Sequence, residues 1–106
     1  MVAIEDRKYL DWLRTQPCIV SLEESPVERP SSEPAHLRLL GGGGTALKPG
    51  DNHAVPLHHW LHKQEQRLGP QRFWAQMAEE YPDLLWRLLI EVAEARYENY
   101  KREKKT

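Results

Sequence analysis

All five histidines of the chain fall in one stretch, PAHLRLLGGGGTALKPGDNHAVPLHHWLHKQ, running from Pro34 to Gln64. Imidazole ligates transition metals, and it is the side chain best suited to moving a proton near neutral pH. His58 and His62 are four residues apart, which on a helix sets both on one face at a spacing that could chelate zinc or a similar ion. His36 converges on that pair if the strands around it close into a hairpin. An H-x3-H pair with no thiolate or carboxylate in the pattern is a weak metal signal, and solvent-facing histidines on a short helix are as common.

The elements that must position these side chains follow from hydrophobic spacing and from the glycines and prolines. Tyr9, Leu10, Trp12 and Leu13 recur at helical spacing, so residues from about 5 to 15 read as an amphipathic helix ended by Pro17. CIVS after it is β-prone, and Leu22 to Glu33, with Pro26 and Pro30, suits an exposed loop. AHLRLL alternates as a strand does. Gly41 to Gly44 and the Lys48-Pro49-Gly50-Asp51 turn then lead to a second β-like run, HAVPL. From His58 to about Arg67 the chain favours a helix, closed by Leu68-Gly69-Pro70, and PQRFWAQMAEEY offers another that starts at Pro70. After Pro82, Leu85, Leu88, Leu89, Val92 and Ala93 mark an apolar stripe, widened by Trp86, Ile90 and Tyr97. Core packing explains that width, and a homodimer contact through this carboxy-terminal helix is the other use for it.

At 106 residues with 40% hydrophobic content the chain has the size of one domain, with a strand-strand-helix unit at about 33–68 and a helical part at about 70–104. No run is long and apolar enough for a bilayer and the first residues are charged, so no membrane partner and a cytoplasmic location are expected. A net charge of -1 argues neither for nor against nucleic acid, and KREKK is a local basic run. Cys18 is the single cysteine, which excludes an intramolecular disulfide and a four-cysteine zinc site in one copy. GGGGTALKPG lacks the spacing of a phosphate-binding loop and runs into a turn, so a nucleotide triphosphate site is rejected. Trp12, Trp60, Trp74 and Trp86 could stack on bases, but each lies among apolar neighbours in an expected helix and reads as a core anchor. Arg38, Lys48, Lys63, Arg67 and Arg72 are spread through the histidine region, where they could meet phosphates or simply solvent.

The order of parts adds to this. A strand bearing Ala35-His36, a glycine-rich connection, a second strand after Asp51-Asn52, and a helix carrying His62 resembles the ββα-metal, or HNH, nucleases. The run RKYLDWLRTQPCIVS, then PAHLR, then GGGTALKPGDNHAVPLHHWLHKQEQRLGPQRFWAQ is similar to phage-borne HNH proteins related to the Ref recombination nuclease. The likeness spans about residues 7 to 80, with KPGDNHAVPL and GPQRFWAQ its most distinctive pieces. It implies a small, mostly helical α+β domain in which a β-hairpin and helix pack against amino- and carboxy-terminal helices. It also implies a DNA endonuclease using a divalent ion such as magnesium, manganese, nickel or zinc. His36 would then be the general base, Asn52 the group that orients it, and His62 an ion ligand, with Arg38, Lys48 and Lys63 meeting DNA.

The same likeness exposes departures. Ala35 stands where a ligand usually precedes the base, and Gln66 where a second helical ligand is usual. The paired C-x2-C motifs of a structural zinc site read Cys18-Ile19-Val20-Ser21 and His58-His59-Trp60-Leu61 here. Cys18 and His58 can bind zinc, Ser21 binds it poorly and Leu61 not at all, which argues against a closed structural zinc site. Either apolar packing has replaced the metal, with Leu61 filling the space, or Cys18, His36, His58 and His62 form a different metal site. The expected function is therefore an HNH-type endonuclease or a degenerate relative, and the alternative is a non-catalytic nucleic-acid-binding or phage accessory protein.

Overall fold

The computed structural model describes residues 4–38, 50–81 and 89–104. It is a small α+β fold, mostly helical, as expected. In order come α1 (Arg7–Leu13), β1 (Ser32–His36), a turn of 3-10 helix (Asp51–His53), β2 (Ala54–His58), α2 (His59–Leu68), α3 (Pro70–Glu80) and α4 (Leu89–Lys104). Gly41 to Gly44, Lys48, Leu85, Trp86 and Leu88 lie outside the described residues.

The two strands form an antiparallel hairpin in which Pro34 faces Pro56. Neither proline has an N–H, so this pair must occupy a position that carries no ladder bonds, and the bonding pairs are its neighbours. The bonds just outside the strands keep that alternation: Leu37 N–H reaches His53 O at 2.9 Å and His59 N–H reaches Ser31 O at 3.0 Å. The strand therefore lies earlier than the AHLRLL expectation, because Pro34 is tolerated where no donor is needed. The carbonyl of Pro56 points away from β1 and accepts Ile19 N–H at 2.8 Å. CIVS makes that one backbone bond to β2 and then turns back on itself, with Leu22 N–H bonded to Cys18 O at 2.8 Å and Leu22 at φ 62, so it is no strand.

The loop before β1 is also less exposed than its composition suggests. Ser25 is buried; its hydroxyl donates to Arg14 O and accepts the N–H groups of Ser31 at 2.8 Å and Ser32 at 3.0 Å. One side chain thus pins the loop to the end of α1 and the start of β1.

The hairpin is covered on both faces. Val55 and Leu57 join Cys18, Val20, Ala35, Leu37, Phe73, Trp74, Met77, Leu89 and Ala93 in the larger core, with Leu61 and Leu68 packed against it. Ala54 turns the other way, into a cluster with Tyr9, Leu13, Tyr97 and Tyr100 that joins α1 to α4. There the Tyr9 ring meets Tyr97 edge-on at 4.8 Å and Tyr100 at 5.0 Å. Gly69, at φ 90, ends α2 in a conformation that favours glycine, and Pro70 opens α3 at once. No helix among the described residues is long and apolar enough to cross a membrane.

Candidate functional site

His36 is the last residue of β1, and the 3-10 turn brings Asp51 against it: His36 Nε2 lies 2.8 Å from Asp51 Oδ1. The second carboxylate oxygen of Asp51 accepts the backbone N–H of Asp6 at 2.7 Å. Asp6 in turn caps α1 by accepting Tyr9 N–H at 3.1 Å, and takes the Tyr97 hydroxyl at 3.0 Å. A line of hydrogen bonds therefore runs from α4 through the start of α1 to the His36 ring, whose side chain is one third exposed (33%). Space at the turn is tight. A Cβ on Gly50 would lie 2.6 Å from Asn52 Oδ1 and 2.9 Å from Ile4 N, so glycine is required there.

The side chain that orients His36 is thus Asp51, one residue before the expected Asn52. KPGDN offers both residues, and only the register of β2 decides which of them reaches across to the end of β1.

His62 lies on α2, directly after β2, with its Nδ1 2.7 Å from Glu33 Oε1 on β1. One turn on, Glu65 is almost fully buried (6% exposed) and accepts the indole N–H of Trp74 at 2.9 Å. Burial pushes the Glu65 carboxyl above its ordinary value; the Trp74 hydrogen bond and the charges of His62, Arg38 and His36 oppose this without cancelling it. Neither Glu33 nor Glu65 stands out in the sequence. Glu33 reads as part of an acidic loop, and the i, i+3 spacing from His62 is the one signal that could have marked Glu65.

The four positions of the absent zinc motif do meet, without the donors that zinc needs. Cys18 Sγ accepts backbone N–H groups from Ser21 at 3.5 Å and His58 at 3.3 Å, and Leu61 packs on the larger core. His58 Nδ1 accepts Trp60 N–H at 3.2 Å, capping α2, and its Nε2 lies 3.5 Å from Glu23 Oε2. His53 Nε2 is 3.1 Å from Glu94 Oε2. His36, His53, His58 and His62 are thus paired with four different carboxylates. Among the described residues no three His, Cys, Asp or Glu side chains group as a metal ion would require. In this arrangement the side chains fit neither the catalytic ion implied by the HNH likeness nor a rebuilt site at Cys18, His36, His58 and His62.

Of the cations expected near DNA, Arg38 and Lys63 are exposed, and Lys48 lies outside the described residues. Trp60 departs from the core-anchor expectation: it is 66% exposed, whereas Trp74 is fully buried. No protein-family model, curated protein or solved structure matches the chain.

Proposed function

We propose that this protein is an HNH-type ββα scaffold that acts on DNA, with His36 as the general base of phosphodiester hydrolysis. The observation that carries this reading is the His36–Asp51 couple at the loop end of a hairpin that runs straight into a histidine-bearing helix. Asp51 accepts from Nε2–H and so favours the tautomer whose Nδ1 keeps a lone pair. Nδ1 takes a proton from water as the new O–P bond forms and the P–O bond to the leaving sugar oxygen breaks, and that oxygen takes a proton from solvent. General base catalysis of this kind contributes about 10²- to 10⁴-fold. Asp51 orients the ring and steadies the imidazolium, and the Asp6 N–H holds Asp51 in place.

The HNH likeness assigns a divalent ion to such a site, with His62 as its ligand. The residues as arranged do not fit one. That misfit favours a second reading: a non-catalytic DNA-binding relative in which packing by Leu61 and pairing of His62 with Glu33 have replaced the ligand sets.

Plasmid nicking separates the two. The wild type and His36→Ala are incubated with supercoiled plasmid in chelator and in added magnesium, manganese, nickel or zinc. Nicking by the wild type that His36→Ala loses supports the hydrolytic reading. Plasmid bound but uncut in every condition supports the binding module.

A further inference from the structure

α2 turns a different set of residues to solvent from those that face the hairpin. Its exposed residues are Trp60, Lys63, Gln66 and Arg67, and Trp60, Lys63 and Arg67 recur at the i, i+3, i+7 spacing of one helical strip. The one acid of α2, Glu65, is buried against Trp74, so the charge on this strip is positive only. Trp60 is held in place without being covered. Its ring stands 5.0 Å from His59, which stacks on His58 at 4.3 Å, and Lys63 Nζ sits 5.3 Å from the indole centroid. Glu23 pairs with His58, at the end of this ring series away from Trp60.

An indole left two thirds in water forgoes the burial that usually places tryptophan in a core. Flanked by two cations and backed by a second aromatic ring, it has the chemistry of a platform for a nucleobase whose phosphates lie beside Lys63 and Arg67. A nucleobase offers its face to an indole only when it is not already stacked within a duplex. We infer that the solvent face of α2 binds an unpaired DNA strand, with a base stacked on Trp60 and flanking phosphates on Lys63 and Arg67. This deepens the DNA reading above, on which it rests, by naming the form of DNA: duplex with an unpaired stretch, or single strand.

The test uses the full chain and oligo(dT), titrated by quenching of tryptophan fluorescence and by anisotropy of a labelled strand, with a duplex of equal length alongside. Oligo(dT) is expected to bind more tightly than duplex, and Trp60→Phe to remove most of the quenching while retaining part of the affinity. Trp60→Ala is expected to weaken oligo(dT) binding by about tenfold or more. Lys63→Gln flattens the salt dependence by about 0.7 in log–log slope, as expected for one lost phosphate contact on a single strand. Because Trp60 is exposed, its replacement leaves the core intact. Unchanged oligo(dT) affinity in Trp60→Ala, or binding of duplex with none of oligo(dT), overturns the inference. Plasmid nicking is run in parallel so that the two readings can fail separately. Cut plasmid with unchanged Trp60→Ala binding sinks the α2 surface alone. Uncut plasmid with Trp60-dependent oligo(dT) binding sinks the hydrolytic reading and leaves the α2 surface standing.

Discussion

Asp51 does with a charged acceptor what Asn52 was expected to do with an amide, and the difference bears on both chemistry and electrostatics. Asp51 and Asp6 together hold His36 to the rest of the molecule, while Glu33 occupies His62. The sequence made His36 and His62 visible because histidine is rare and their spacing is informative; it could not show which acids would face them, since acids are common and pair across strands. Glu65 is the acid whose behaviour is easiest to test. Its folded carboxyl holds a proton to higher pH than the unfolded chain does, because burial disfavours the charge. Its contribution to stability is therefore full below the ordinary value of 4.5 and falls as pH rises through the raised one. Glu65→Gln keeps an acceptor for the Trp74 indole and removes the titration. Thermal melts should find the variant more stable than the wild type at neutral pH, with that advantage shrinking as pH falls through the raised value and gone below pH 4.5. A variant equally destabilised across the whole range would contradict this account of the site.

At the scale of elements, most of the architecture could be read from periodicity and from glycine and proline. The helices after His58 and Pro70, the break at Gly69 and the hairpin were all expected, and the errors came where tertiary contacts outweigh local preference. β1 takes in Ser32, Glu33 and Pro34 because Ser25 pins the preceding loop and because Pro34 meets Pro56 where no donor is required. α1, Arg7–Leu13, is shorter than the expected span of about 5 to 15, and Asp6 fixes where it starts. Asp6 caps the helix and accepts from Tyr97, so Asp6→Ala removes a cap worth about 1 kcal/mol and a hydrogen bond to a charged group worth about 1.5–3 kcal/mol. A loss of about 2–4 kcal/mol is expected by chemical denaturation. Asp6→Asn keeps one acceptor oxygen, which can still cap α1 through Tyr9 N–H, and should lose clearly less. Equal losses in the two variants would show that the carboxylate charge, and not the cap geometry, dominates at this position.

Across the whole molecule, α1 and α4 are distant in sequence and joined by a ring cluster beneath the hairpin. Tyr9 and Tyr97 were recognisable as apolar-face residues of their helices, but nothing in either helix says that the two faces meet. Burial pushes the Tyr9 phenol up to about 12, and burial followed by the hydrogen bond to Asp6 does the same for Tyr97. Both values are raised, so the stability these phenols supply is full below pH 10 and is lost as pH climbs through about 12. Tyrosinate absorbance and far-ultraviolet circular dichroism, followed together, should show the last two phenols ionising as the helices are lost. Ionisation of every tyrosine with the fold intact would contradict the cluster's burial. The hairpin is packed on both faces, with Leu61 and Cys18 in the larger core and the α1–α4 ring cluster on the other side. We propose that the His36–Asp51 couple, set by this scaffold, hydrolyses DNA. It is tested most directly by the single-turnover rate at which the wild type and His36→Ala, both shown to be folded, cut a labelled plasmid under the same conditions. Wild-type cleavage is expected, falling by about 10²- to 10⁴-fold in the variant. Equal rates, or a folded wild type that never cuts, would contradict it.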